Sequence, residues 1–332
     1  MAVQITIIGL EKIGESVGLA LAEHTDQLYR VGYDKDVRLM REVQKRGAID
    51  KSFLNLHAAV EKADIILLAT SVEESYETIE IIAQDLQPES VLVDISSARA
   101  AIAERAKKLL PSECHFVSVT PAFNPSHLDL EQIGVEEAHA DLFHNSLMAI
   151  SSLAGTHEDA MKLVVDLIYL LGATPFFVDM MEIDGWMAAV DLLPQLSALA
   201  LVNATIEQPG WRDGRKFAGA NYARISGAAL DQNERSLSVQ SILENKENAL
   251  RLLDEYAMRV RQIRAQIDAN DEAGLGEMLD NAREARLTWW ADRKASKWQK
   301  REAHQEMPKM GQMLGQMFLG NLFQKRAKKK DD

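Results

Sequence analysis

Two glycines and a carboxylate near the amino terminus have the types and spacing to hold a nucleotide. In GLEKIGESVG, Gly9 can take a tight turn after an apolar run, and Gly14, just past Ile13, lets the next helix pack closely on that run. Free N–H groups at the helix start would then face a pyrophosphate. About twenty residues past Gly14, the apolar segment Tyr29 to Tyr33 ends in Asp34, where a carboxylate can accept both ribose hydroxyls of an adenosine. Asp34 also repels a 2′-phosphate and no arginine follows it, so the expected cofactor is NAD rather than NADP. Glu11 stands where a middle glycine would let the backbone approach the phosphates, and its bulk and like charge weaken that contact. The plainer alternatives are a strand-turn-helix that binds nothing and an Asp34 that caps the helix after it.

The elements that must position these residues alternate. Ile5 to Ile8, Tyr29 to Tyr33, Ala63 to Ala69, Val91 to Ile95 and His115 to Val119 read as buried strands. Between them lie helical stretches to Arg46, from Glu73 to Gln84 and from Ala98 to Leu110, the last stopped by Pro111. Leu147 to Ser151 and Thr174 to Val178 add strands around an amphipathic helix, His157 to Leu171, ended by Gly172. This order predicts an α/β fold with a doubly wound parallel sheet and ligands at the carboxyl ends of its strands.

From about Asp179 only helical periodicity remains. Trp186 to Ala204 is apolar nearly all round and reads as a buried helix, while Ile242, Leu243, Leu250, Leu253, Tyr256, Val260, Ile263 and Ile267 recur at helical spacing. A homodimer through this all-α region is the economical way to cover it, with a monomeric bundle as the alternative. The expected division is 1–179, 180–305 and a tail, 306–332.

A length of 332 residues suits two domains, and 47% hydrophobic with 26% charged residues is enough to bury sizeable cores. The single cysteine, Cys114, leaves no internal disulfide, and the amino terminus runs into a strand without a signal pattern, so a cytoplasmic location is expected. Met161 to Val178 is interrupted by Lys162 and Asp166, and Trp186 to Ala204 by Asp191, Pro194 and Gln195, so no membrane span is expected. Residues 293–332 carry a charge of +7 and the rest −20, which speaks against nucleic acid as a partner of the body. In the tail, Met310, Met313, Leu314, Met317, Phe318 and Leu322 fall near one helical face before a basic run, which suits docking on its own dimer, an acidic partner or a membrane surface. The spacing of the eight histidines and the cysteine indicates no metal site.

Four local motifs, in this element order, resemble the prephenate/arogenate dehydrogenase family over roughly residues 1 to 270. GLEKIGESVG is similar to the family's GLGLIGGSL, and Asp94 to Arg99 (DISSAR) to its DVGSVK. Asp184 to Gln195 (DGWMAAVDLLPQ) resembles HDxxMAxxSHLPH, and Asn221 to Ile225 (NYARI) resembles DTTRI. The resemblance implies a Rossmann-like domain followed by a helical dimerisation domain, and NAD-dependent oxidative decarboxylation of a cyclohexadienyl carboxylate on the route to tyrosine. It also implies that Ser97 contacts a small carboxylated substrate and that Arg224 holds its carboxylate. Arg99 stands where the family has lysine.

The resemblance also locates a departure. Removing hydride from a hydroxyl-bearing carbon needs a base for the hydroxyl proton, which the family supplies as the histidine of HPMxG; the same place reads Thr120-Pro121-Ala122-Phe123-Asn124. His127, in the loop beyond, is a possible substitute, and Leu192 and Gln195 replace the histidines of SHLPH. Each residue keeps a plainer reading: Arg224 as a surface arginine, Ser97 as a helix N-cap and His127 as a solvated loop side chain. The readings that remain are a dehydrogenase of this type and a catalytically silent dimeric relative with a regulatory or scaffolding role.

Overall fold

Short β-branched and leucine-rich runs, too short for helices, build most of one sheet in the computed structural model, which describes residues 2–128, 138–229 and 237–296. Its strands are β1 (Val3–Ile8), β2 (Leu28–Tyr33), β3 (Lys51–Ser52), β4 (Ile65–Leu68), β5 (Val91–Asp94), β6 (His115–Pro121), β7 (Leu147–Ser152) and β8 (Thr174–Phe177). The spatial order is β3-β2-β1-β4-β5-β6-β7-β8, with the order reversing beside β1. That reversal opens a crevice at the carboxyl ends of β1 and β4, where a doubly wound sheet binds its ligand. The helices α1 (Lys12–Ala20), α2 (Val37–Lys45), α3 (Leu56–Val60), α4 (Val72–Ile82), α5 (Arg99–Leu109) and α6 (Glu158–Leu170) connect the strands. All residues of β4 and β5 are buried, as strands covered on both faces require, and Ile66, Leu68, Ile79, Ile82, Leu92 and Ile102 form part of one core with α4 and α5.

Six strands follow the expected parallel direction, and the last two, β7 and β8, run opposite to them. β6 and β7 are antiparallel, with Thr120 opposite Ala149. Among the described residues between them the only helical element is a 3-10 turn, Pro125–His127, and no α-helical crossover of the kind that keeps strands parallel is described. The short β3 and α3 were not expected either, since neither is long enough to show a period.

The helical region continues with α7 (Met180–Met187), a π-helical turn over Ala188–Leu192, α8 (Leu193–Ile206), α9 (Trp211–Gly214), α10 (Ala220–Gly227), α11 (Val239–Glu244), α12 (Lys246–Asp268) and α13 (Glu272–Ala295). The π turn has a local cause in Pro194, which lacks an N–H and whose ring would clash with the carbonyl of Val190 in a regular helix. The chain widens before it, and Leu193 N–H donates to the Ala188 carbonyl.

Two expectations for this region need correction. Met180–Ile206 is one helical run of 27 residues, long and apolar enough by length and composition to cross a membrane, because the interrupting Asp191 and Pro194 do not break it. Nor is it buried within the chain: only 22% of its most apolar window is covered, and Trp186, Val190, Leu199 and Ile206 are exposed. Residues Met1–Ala282 form one compact unit, and a second, Arg283–Asp332, includes Arg286, stacked on both Trp289 and Trp290. The tail residues 306–332 lie outside the described residues.

Candidate active site

The turn between β1 and α1 is closed by the two glycines. Gly9 has φ +87°, and a Cβ there would stand 2.2 Å from the Ala69 carbonyl oxygen. A Cβ on Gly14 would stand 1.9 Å from the carbonyl oxygen of Gly9, so the helix can approach the turn only without one. Ile13 is buried behind the turn. Glu11 is the N-cap of α1 with its side chain exposed and making no capping bond.

Asp34 does more than its position announces. Its Oδ2 accepts from Leu10 N–H at 2.8 Å and its Oδ1 from Asp36 N–H at 2.8 Å, so it pins the glycine turn to the end of β2. Each oxygen keeps a second lone pair for a ribose hydroxyl. The N-cap of α2 is Asp36, not Asp34. These residues fit a dinucleotide at the turn and the ribose, and Glu11 adds negative charge beside the phosphates. Glu15, one position past Gly14, is buried and paired with Arg46 of the segment after α2, with Oε2 2.7 Å from Nη2. Burial raises its pKa against the pull of Arg46.

The second half of the site lies where β5 and β6 end. Thr120 is buried at the carboxyl end of β6, and the space beside it is taken by Arg99, the first residue of α5 and fully buried. Arg99 Nε donates to Thr120 Oγ1, and its Nη1 donates to the Ser97 carbonyl at 3.2 Å and to Asp184 Oδ1 at 3.0 Å. Asp184 Oδ2 in turn accepts from Ala100 N–H at 3.1 Å. A lysine ammonium is a point charge, whereas the planar guanidinium reaches threonine and carboxylate at once. Beneath it, burial pushes the fully buried Asp94 up to about 6, against a hydrogen bond from Ser96 Oγ and the charge of Arg99. The residues of DISSAR, the threonine and DGWMAAVDLLPQ therefore form one buried polar knot.

Beside the knot is a small, open cleft walled by Ser97, Met187, Asp191, Gln195, Ser241 and Asn245. Ser97 is not a helix cap, since the N-cap of α5 is Ala98. Arg224 is not in this wall; it is exposed on α10, whose Tyr222 hydroxyl bonds Thr205 of α8 at 2.8 Å. His127 lies beyond β6 with Nε2 2.8 Å from Asp141 Oδ1. Burial works to raise the Asp141 pKa, but the His127 hydrogen bond and charge outweigh it and hold the carboxyl below its usual range. The same loop is tied to α1, where Ser16 Oγ accepts from His139 N–H at 3.0 Å.

One arrangement was invisible in linear spacing. His127, His139 and Asp141 each bring a potential metal-ligand atom within 4.8 Å of the others. The two imidazoles stack at 4.3 Å and 21°, so their in-plane lone pairs do not converge, and the group is organised as a histidine–carboxylate pair with a stacked neighbour.

A glycine turn and carboxylate beside β1, a knot at the ends of β5 and β6, and a cleft against a helical region define a nucleotide-binding protein with an attached helical domain. The family profile for the prephenate dehydrogenase nucleotide-binding domain matches residues 17–176, and that for the prephenate dehydrogenase dimerization domain matches residues 180–281. The chain belongs to the prephenate/arogenate dehydrogenase family. A prephenate dehydrogenase of Bacillus subtilis is 25% identical over 286 residues, covering 85% of this chain and 75% of the relative. Among solved structures, a prephenate dehydrogenase from A. aeolicus in complex with hydroxyphenyl propionate and NAD⁺ superposes with a TM-score of 0.73 at 19% identity, covering 87% of this chain and 98% of that one. The Synechocystis arogenate dehydrogenase gives 0.66 at 20% identity, covering 86% and 99%. The glycine turn lies ahead of the first profile's match.

Proposed function

We propose that the chain is a cytoplasmic, homodimeric dehydrogenase that oxidatively decarboxylates a cyclohexadienyl carboxylate with NAD. The observation that carries this is the joint match of both family profiles, in order, directly behind a glycine turn pinned by an Asp34 that keeps lone pairs for a ribose. A nicotinamide supplies the hydride acceptor. Asp34 orients the adenosine and disfavours a 2′-phosphate. Ser97 meets the substrate at the cleft; Arg224, the contact the family resemblance assigns to the substrate carboxylate, is exposed on α10 outside the cleft wall of this chain.

The proton needs a different route from the family's. The Thr120 hydroxyl is held by Arg99 and is no base near neutral pH. His127 is the substitute assigned to that role: its imidazole is oriented by Asp141 at 2.8 Å, although it lies outside the cleft wall. The relatives lend no support to the silent alternative.

Titration of the purified protein with NAD⁺ and NADP⁺ tests the cofactor half of the proposal. NAD⁺ is expected to bind more tightly, and Glu11→Gly to tighten it further by removing bulk and like charge. Binding of neither dinucleotide would contradict the proposal, and a preference for NADP⁺ would contradict the role given to Asp34.

A further inference from the structure

Arg99 is fully buried, and one corner of its guanidinium is unused. Nη1 donates twice, to the Ser97 carbonyl at 3.2 Å and to Asp184 Oδ1 at 3.0 Å, and Nε donates to Thr120 Oγ1. Nη2 is sealed and has no partner among the described residues. Nε and Nη2 share one edge of the planar fork, the edge that can grip both oxygens of a carboxylate, so an Nη2 N–H runs beside the bond that Nε makes to Thr120. That bond occupies a lone pair of Thr120 Oγ1 and leaves the hydroxyl hydrogen, which goes to no acceptor among the described residues. Asp94 does not fill the corner, because its own Oδ1 is also without a partner. A lysine, which the resemblance places at position 99, has no such edge.

Two buried donors side by side are costly until a group with lone pairs meets them. An anionic oxygen does so best, since hydrogen bonds to an ionised acceptor are roughly twice as strong as neutral ones and exclusion of water strengthens them further. We infer that Arg99 Nη2 and the Thr120 hydroxyl form a two-donor site for an anionic oxygen. The identity of that oxygen rests on the dehydrogenase reading: it is the substrate's ring oxygen as the alkoxide, at the place where the resemblance puts a base. The O–H bond breaks with its proton going to the base and its electron pair staying on oxygen. That pair then closes the C=O bond while the C–H pair leaves as hydride to a nicotinamide. Holding the alkoxide makes the proton easier to lose, which is what a chain with no base at position 120 requires. Nη2 has no exposed surface, so a ligand reaches it by displacing what covers it, and Ser97, which gives its carbonyl to Nη1 and lines the cleft, is the residue that fork and cleft share.

The test uses the full chain with NAD⁺ and a hydroxyphenyl propionate carrying fluorine on both carbons beside the hydroxyl, a small phenol that ionises near neutral pH and whose fluorine NMR signal reports which form is bound. Turnover of arogenate and prephenate is measured alongside. The phenolate is expected to bind about 10- to 100-fold more tightly than the neutral phenol, so the bound ligand ionises at a lower pH than the free one. Thr120→Val, which keeps the shape and removes one donor, and independently Arg99→Lys, which keeps the charge and removes the edge, should each abolish most of that difference, while Thr120→Ser keeps it. Either of the first two suffices should the other fail to fold. An ionisation midpoint equal to that of the free phenol would mean that the donors face only a buried water; it overturns the inference and leaves the dehydrogenase reading standing. So does a lowered midpoint that survives in every folded variant, or a protein that turns over either substrate without binding the phenol. Absence of both binding and turnover overturns the dehydrogenase reading itself, and the inference with it.

Discussion

In the sheet region every residue of β4 and β5 is buried, and Ile5, Ile7, Leu21 and Val43 are sealed just as completely. Along the helices from Met180 onward apolar side chains are also frequent, yet Val190, Leu199, Leu250, Val260, Ile263 and Ile267 lie open. The first region closes its core within one chain. The second presents an apolar stripe at helical spacing along α12 that needs another surface to cover it, as fits the match to a dimerization domain. The candidate site lies where the two regimes meet: Arg99 and Thr120 come from the self-sufficient region, and Asp184, Asp191 and Gln195 from the dependent one.

The sharpest way to break this comparison is at the seam. Asp184→Ala leaves the Arg99 guanidinium buried without its carboxylate, which should cost about 3–5 kcal/mol. Urea unfolding measures it, and the double replacement Arg99→Met with Asp184→Leu should recover most of the loss, because removing both charges removes the desolvation problem. A single-variant loss below about 1 kcal/mol, the level of an exposed pair, would show that the seam is solvated and the two regions are not locked there.

The next effect concerns the dependent region. Ile263→Glu places a charge in the α12 stripe, and two-fold symmetry counts it twice, so dimer affinity should fall by about 3 kcal/mol or more. Sedimentation equilibrium at micromolar concentration should find a dimer for the natural chain and monomer for the variant. A natural chain that sediments as a monomer would remove the distinction between the two regions.

The smallest effect belongs to the self-sufficient region. Asp94 has a folded pKa of about 6 against an ordinary 3.8, so the folded state holds the proton more tightly than the unfolded one. Its contribution is fully present below the ordinary value and is lost as pH rises through about 6. Asp94→Asn keeps an acceptor for Ser96 Oγ while removing the charge, so stability should fall less between those pH values than it does in the natural chain. Parallel curves for the two proteins would show that the Asp94 carboxyl is not desolvated.

The same comparison explains what the sequence revealed. The strands were legible because Ile65 to Leu68 and Val91 to Asp94 are buried on both faces by their own chain, and the glycine turn because Gly9 and Gly14 have no alternative at their positions. The directions of β7 and β8 were not, since the reversal is set by how β7 pairs with β6 rather than by the residues of either strand. Trp186 to Ala204 read as buried because it is apolar nearly all round, and composition alone does not say which surface covers it. At the site, Thr120 was visible as a departure, but its partner Arg99 was not, because the knot joins residues 21 and 85 positions apart. Nor did spacing show that Asp34 pins the turn at Leu10, or that His127 has a carboxylate 14 residues away.

The proposed activity is oxidation of the substrate although position 120 carries no base. The direct measurement is NADH formation when the purified protein is mixed with NAD⁺ and arogenate or prephenate. The natural chain should form NADH with matching release of carbon dioxide, and His127→Asn should lower kcat by about 10²–10⁴-fold, the worth of a positioned base. No NADH from a protein that demonstrably binds NAD⁺, or a His127→Asn variant as fast as the natural chain, would contradict it.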